Sequence, residues 1–294
     1  MRLSSLFFAL FLILGPVSQS MGQVGLPRED TEGQRFKIDF TGGAWFPRLE
    51  GTTTLGVNGT AIDMGELDLD QSEVAFNGEA SICWDRCRVT IGGYDFSTSG
   101  SAVMNRRVDL GGVIARPGDT INSQIDAWSV STEFAYDLIT PFEEKTFPWS
   151  APKSPVKNQL ADGRQVLDFR LAVTAGARLV NLQQSYSVLG GGTVETNNAW
   201  VAPLLGGEFK LTWVTKGTVP LLDHVVARVH ASGGPALVGG SYMMSIRAGL
   251  TFHFTRNLGL TLGYRLSDWA LTREDNTFDE GGLQGLFAGV SYTW

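Results

Sequence analysis

Gly285-Leu286-Phe287-Ala288-Gly289-Val290-Ser291-Tyr292-Thr293-Trp294 is the stretch that decides the fold. Successive side chains on a β-strand point to opposite faces. Leu286, Ala288, Val290, Tyr292 and Trp294 therefore form one apolar row, and Phe287, Gly289, Ser291 and Thr293 form the other. A row of this kind can be buried in a soluble sheet or turned toward lipid, and the rest of the chain has to decide between the two.

The same alternation recurs upstream. Phe36, Ile38, Phe40, Ala44 and Phe46 oppose Lys37, Asp39 and Thr41, and Val74, Phe76, Ala80 and Ile82 oppose Glu73, Asn77, Glu79 and Ser81. Over 88–96 the apolar positions move from Val89 and Ile91 to Tyr94 and Phe96, and the intervening Gly92-Gly93 predicts a glycine bulge. Trp128, Val130, Phe134, Tyr136 and Leu138 then oppose Ser129, Ser131, Glu133 and Asp137. Leu167 to Leu179 at every second position oppose Asp168, Arg170, Thr174 and Arg178, and Val201, Leu205, Phe209, Leu211 and Trp213 oppose Glu208, Lys210 and Thr212. Val225, Ala227, Val229 and Ala231 oppose His224, Arg228, His230 and Ser232. Two further apolar rows, Met244 to Phe254 and Leu258 to Leu266, flank Thr255-Arg256-Asn257 and place Arg247 and Arg265 on the opposite face.

This pattern, apolar outward and polar inward over the roughly 9–11 residues that cross a bilayer, predicts an all-β fold. The expected architecture is a closed antiparallel transmembrane β-barrel of about ten strands, with eight or twelve as the alternatives. A soluble, exported ligand-binding barrel is the rival, but its interior would have to hold the apolar rows, whereas here the charged rows face inward. Segments near 48–72, 97–123, 182–198 and 271–282 read as long polar loops on one side of the membrane, and 84–87, 214–222 and 255–257 as short turns on the other. A stretch at 139–165 containing Pro141, Pro148, Pro152 and Pro155 falls among the short turns and reads as a loop or a periplasmic ornament.

At the other end, Arg2, the apolar run Leu6 to Leu14 and Ser20-Met21-Gly22 predict a signal peptide over 1–22, cleaved before Gln23, with 23–294 as one barrel domain. With 36 Gly and 8 Trp, only 18% charged residues and a mean hydropathy near zero, the chain fits neither a disordered nor a helical-membrane type. A net charge of −7 without basic clusters argues against nucleic acid as a partner. Trp45, Trp128, Trp213, Trp269 and Trp294 lie toward predicted strand ends, where indoles favour the membrane interface.

Trp200-Val201-Ala202-Pro203-Leu204-Leu205-Gly206-Gly207, Gly263-Tyr264-Arg265-Leu266-Ser267-Asp268-Trp269 and the strand Gly285 to Trp294 are similar to segments of bacterial outer-membrane β-barrel proteins of porin-like or surface-antigen type, with an echo at Ile62 to Asp70. Where that family often has Asp before the proline, this chain has Ala202. The resemblance implies a bacterial outer-membrane location, contact with outer-membrane lipid and lipopolysaccharide, and a structural or porin-like role with narrow passage of small solutes as one form of it. It implies no catalytic residues and no cofactor. Val290, Tyr292 and Trp294 resemble the terminal signal read by the barrel-assembly machinery.

The residues that could carry chemistry are the inward charges, above all Arg170, Arg178, Glu208, Lys210, Arg228, Arg247 and Arg265. Ionisable groups enclosed by a bilayer must pair or meet water. They therefore form either a salt-bridged, packed lumen or a narrow aqueous passage whose selectivity they set, and small barrels fill with their own side chains. His230-Ala231-Ser232 resembles the His-x-Ser of outer-membrane lipid A deacylases and is the enzymatic alternative, although alternation puts both residues in the lumen rather than toward lipid. Cys83 and Cys87 could close a disulfide across a three-residue hairpin, and two thiolates without a nearby His or acidic cluster make no metal site.

Overall fold

The computed structural model describes residues 36–56, 59–139, 167–215, 219–237, 240–273 and 276–294. The expected signal peptide and the proline-rich stretch 140–166 lie outside the described residues. In chain order the strands are β1 (Phe36–Leu55), β2 (Ile62–Asp63), β3 (Ala75–Trp84), β4 (Cys87–Val103), β5 (Val108–Asp109), β6 (Ile114–Ala115), β7 (Thr120–Ile139), β8 (Leu167–Val188), β9 (Thr193–Val214), β10 (His224–Pro235), β11 (Tyr242–His253), β12 (Leu258–Arg273) and β13 (Asn276–Thr293). Ten of them pair antiparallel in the order β13-β12-β11-β10-β9-β8-β7-β4-β3-β1, and β13 returns to β1 to close the barrel. The short β2 lies against β1 as an extra strand, and β5 pairs only with β6.

Closure runs through the sequence that predicted it. Thr293 pairs with Asp39, Val290 with Gly42 and Leu286 with Phe46. Leu286, Val290, Tyr292 and Trp294 all face outward and are exposed. The outward rows elsewhere behave alike: Leu171, Leu205, Phe209, Val229, Leu250, Leu262 and Tyr264 are all exposed. A water-soluble barrel with this continuous apolar girdle would expose many times the patch that soluble monomers tolerate, so the sheet is a transmembrane barrel.

Each long strand changes character partway along. On β8 the outward row is Leu167, Phe169, Leu171, Val173, Ala175, Ala177 and Leu179, then Asn181, Gln183, Ser185 and Ser187. Its inward row runs the opposite way, from Asp168, Arg170, Thr174 and Arg178 to Val180, Leu182, Tyr186 and Val188. The same exchange occurs on β1, where inward Lys37 and Asp39 give way to Trp45 and Leu49, and on β9, where inward Glu208 and Lys210 give way to Leu204, Ala202 and Trp200. One end of the barrel is greasy outside and polar inside, as lipid requires. The other is polar outside and apolar inside, as water requires.

This exchange accounts for the predicted bulge at Gly92-Gly93, which is absent. The register of β4 is unbroken against both β3 and β7 through that point, with Gly92 opposite Glu79 and Ser131, and Gly93 opposite Gly78 and Val130. Tyr94 and Phe96 occupy inward positions continuous with Arg88 and Thr90, and both are buried. The outward row simply turns polar at Asp95, Ser97 and Ser99.

Two of the predicted long loops are strands instead. Residues 182–198 continue β8 and β9 to a hairpin closed by Val188 and Gly192, and 271–273 and 276–282 belong to β12 and β13. The strands thus rise as a turret above the apolar girdle. Its interior is one hydrophobic core containing Trp45, Leu49, Tyr94, Phe96, Ile125, Leu182, Tyr186, Trp200 and Trp269. Trp45 and Trp269 are accordingly wholly buried inside rather than at the membrane interface. Trp213 and Trp294 are exposed, as expected of interfacial indoles.

The two real loops on this side insert into the turret. Ile62, Met64, Leu67 and Leu69 of the first, and Val108, Leu110 and Ala115 of the second, are buried in the same core. Full burial of such side chains contributes about 1.5–3 kcal/mol each, which holds a loop rich in Asp and Gly in a fixed place. Arg106 bridges the two loops by donating to Glu66 Oε2 at 2.9 Å, and Arg48 Nη2 donates to Asp70 Oδ2 at 3.1 Å. Gly100 on β4 makes the approach possible, because a Cβ there would lie 2.2 Å from the Leu67 carbonyl oxygen. Glu73, expected among the lumen charges, precedes β3 in this loop and its amide donates to the Pro47 carbonyl.

Candidate functional site

The lumen has three levels. At the end that carries the C-terminus is a vestibule with a cavity volume of about 480 Å³. Inward parity brings Lys37 and Asp39 from β1, Arg170 and Asp168 from β8, Lys210 from β9 and His224 from β10 to its wall. Lys37 pairs with Asp39 at 3.0 Å, and Arg170 holds both Asp137 and Asp168 at 3.2 Å. The imidazoles of His224 and His253 stack with centroids 3.9 Å apart, and Asp223 Oδ2 lies 3.0 Å from His224 Nδ1.

Above the vestibule is an ionic layer. Arg88 Nη2 and Arg228 Nη2 both lie 2.6 Å from Glu208 Oε2. Glu133 reaches across from β7 to His230 on β10, with Oε2 and Nε2 2.9 Å apart, and Arg247 is paired with Glu79. Arg178 and Arg265 are buried in the same layer, and the Arg265 guanidinium lies over the rings of Trp45 and Tyr94 at 5.3 and 5.1 Å from their centroids. The cavity that remains here is about 20 Å³, room for roughly one water molecule.

The third level is the apolar core of the turret, which closes the lumen above Arg265. Three of its polar groups meet there: Thr53 Oγ1 donates to Gln184 Oε1 at 3.2 Å, and the Tyr186 hydroxyl donates to the same oxygen at 3.4 Å. Burial pushes the Tyr186 phenol well above its ordinary value, opposed weakly by a hydrogen bond with Thr53.

Every charge expected in the lumen from Arg170 to Arg265 is inward-facing, and the ion pairs join residues far apart in sequence, such as Arg88 with Glu208. Nothing next to His230 in the sequence points to its carboxylate partner. Glu133 comes from β7, with β8 and β9 between it and β10 along the wall, and the curvature of the sheet brings the two together inside the lumen. His230 and Ser232 are both buried in the lumen, away from lipid, and the Ser232 hydroxyl has no hydrogen-bond partner among the described residues. A deacylase nucleophile would need its base within reach, so this pair does not favour a lipid hydrolase.

The expected disulfide is also absent. The hairpin has two residues, Asp85 and Arg86, at its tip rather than three, so Trp84 pairs with Cys87 and Cys83 with Arg88. Cys83 points inward, with its sulfur 3.7 Å from Asp39 Oδ2, whereas Cys87 lies in the opposite row, and both thiols are free. Among the described residues no His, Cys, Asp or Glu group is arranged to hold a metal ion.

No protein-family model matches the chain, and no curated protein matches it in sequence. Among solved structures, it is similar to the outer membrane protease OmpT from Escherichia coli, at 10% identity and a TM-score of 0.41, covering 90% of this chain and 99% of that one. It is likewise similar to Ail, the attachment invasion locus protein of Yersinia pestis, at 10% identity and a TM-score of 0.33, covering 88% and 99%. A third is the transport unit of the autotransporter AIDA-I from Escherichia coli, at 9% identity and a TM-score of 0.36, covering 94% of each chain. At such scores the barrel assignment rests on the closed sheet and its apolar girdle, not on these likenesses.

Proposed function

We propose that this chain is a bacterial outer-membrane barrel that conducts no solute and serves a structural role, holding a rigid turret on the outer surface of the cell. The start of β1, the end of β13 and the tight turns then lie in the periplasm, and the turret ends of the long strands lie outside. The observation that carries this reading is the lumen: a vestibule of about 480 Å³ narrows to about 20 Å³ in the ionic layer and ends beneath an apolar core. Ion passage requires continuous water lined by groups that bind and release. Here most of the lining charges are engaged with one another, and the next level is lined chiefly by apolar side chains.

Planar-bilayer recording on the purified chain tests the reading. The expected trace has no steady conductance steps, apart from rare brief openings. Stable ohmic steps whose ion preference shifts when Arg228 and Arg247 are replaced by Glu would establish a pore and overturn it.

A further inference from the structure

The ionic layer does not balance. It contains five guanidiniums, on Arg88, Arg178, Arg228, Arg247 and Arg265, and three carboxylates, on Glu79, Glu133 and Glu208. Arginine does not deprotonate in proteins, so with all three carboxylates ionised and His230 neutral the layer still carries two positive charges in excess. Glu208 is engaged by Arg88 and Arg228, Glu79 by Arg247 and Glu133 by His230. That leaves Arg178 and Arg265, which are 3% and 5% exposed and repel one another, without a carboxylate at ion-pair distance among the described residues. Glu133 attracts both from farther off.

The unmet hydrogen-bonding capacity lies in the same place. Arg178 Nε and Nη1, Arg265 Nη1 and Thr174 Oγ1 are buried without partners, and all three residues line the cavity of about 20 Å³. Buried donors without acceptors are rare in native proteins, and buried unpaired charges rarer. A water could accept from two of these donors but carries no charge to offset them. A phosphate, sulfate or carboxylate has the charge but not the size, since the cavity holds about one water-sized sphere.

We infer that this cavity is a halide site, in which one chloride accepts from Arg178, Arg265 and Thr174 and offsets the unpaired positive charge of the ionic layer. The ion acts as an internal counter-ion that lets the two arginines stay buried, Arg265 against Trp45 and Tyr94. This holds whether or not the barrel conducts.

Crystals of the full chain grown in sodium bromide, with unfolding of the detergent-folded barrel followed in parallel, test the inference. An anomalous bromide peak is expected between Arg178 and Arg265. Tm should be higher in chloride or bromide than in gluconate of equal ionic strength, rising by about 3–5 °C for each tenfold increase in halide above its Kd. Arg178→Gln should abolish the peak and make Tm the same in both salts. If that variant does not fold, Arg265→Lys, which keeps the charge but loses the fork, should weaken both effects. Wild-type crystals with no bromide at this position, or a Tm that follows ionic strength whatever the anion, would overturn it.

Discussion

Replacing Glu208 by Gln tests whether the ionic layer is a load on the barrel or part of its strength. The side chain is almost wholly enclosed, and one of its oxygens accepts from Arg88 Nη2 at 2.6 Å and from Arg228 Nε and Nη2 at 2.7 and 2.6 Å. Glutamine keeps the shape and removes the charge, so two guanidiniums lose their counter-ion in a region that already has more cations than anions. Removing one member of a buried ionic group costs about 3–5 kcal/mol, because the partners are left uncompensated. Replacing all three members by apolar residues of similar volume should instead be close to neutral, since no buried charge is then stranded. The assay is reversible urea unfolding of the purified barrel in lipid vesicles, followed by tryptophan fluorescence and by mobility on unheated gels. Glu208→Gln should lose at least about 3 kcal/mol while Glu208→Met with Arg88→Met and Arg228→Met loses about 1 kcal/mol or less. A cost below about 1 kcal/mol for the single change would mean that water, not protein, surrounds these groups, and the packed-lumen reasoning would fall.

The exchange of outward polarity along β8 predicts that Leu171→Arg costs roughly 2–4 kcal/mol of barrel stability and lowers membrane yield, whereas Gln183→Arg on the same row is nearly silent; equal tolerance would contradict the position of the girdle. Gly100→Val should push the first loop away from β4, since its Cβ meets the Leu67 carbonyl at 2.2 Å, so protease should cut within 59–74 while gel mobility of the barrel stays normal. The raised pKa of Tyr186 means that the unfolded chain ionises near the ordinary value of 10.0 while the folded protein still holds the proton. Stability from this group is therefore intact below pH 10 and declines above it, and ultraviolet titration should show one phenol that ionises only on unfolding; Tyr186→Phe should remove that late step.

Much of the barrel was legible in the sequence. Ten strands, their lipid-facing rows and the inward placement of Arg170 through Arg265 all follow from period-two alternation, which is a local property. What escaped is what depends on where along a strand water replaces lipid. Once Asp95, Ser97 and Ser99 face outward, the apolar positions are inside, so Tyr94 and Phe96 look like a change of phase although the strand is regular. The run 182–198 looks like a loop because its polar residues face out, while Leu182 and Tyr186 between them belong to an interior that alternation alone does not reveal. The pairing of Glu133 with His230 is illegible for another reason: it joins two walls of a closed sheet, and neither neighbour on its own strand announces the other.

The exchange of polarity also sets how deep the barrel sits. The outward apolar rows of β8, Leu167 to Leu179, and of β9, Val201 to Trp213, end at matched heights. At roughly 3.3 Å per residue and a tilt near 40° they amount to about 30 Å of vertical hydrocarbon. Above that height lie Asn181 and Asn197, hydrogen-bonded to one another on the outer wall, and sinking the barrel by a single residue pair would drag them into acyl chains. A membrane thicker than this band cannot be met by tilting a closed cylinder whose strands are already inclined. The lipid must thin around it instead, and the turret then acts as a depth gauge that gathers shorter-chain or more fluid lipids into its annulus.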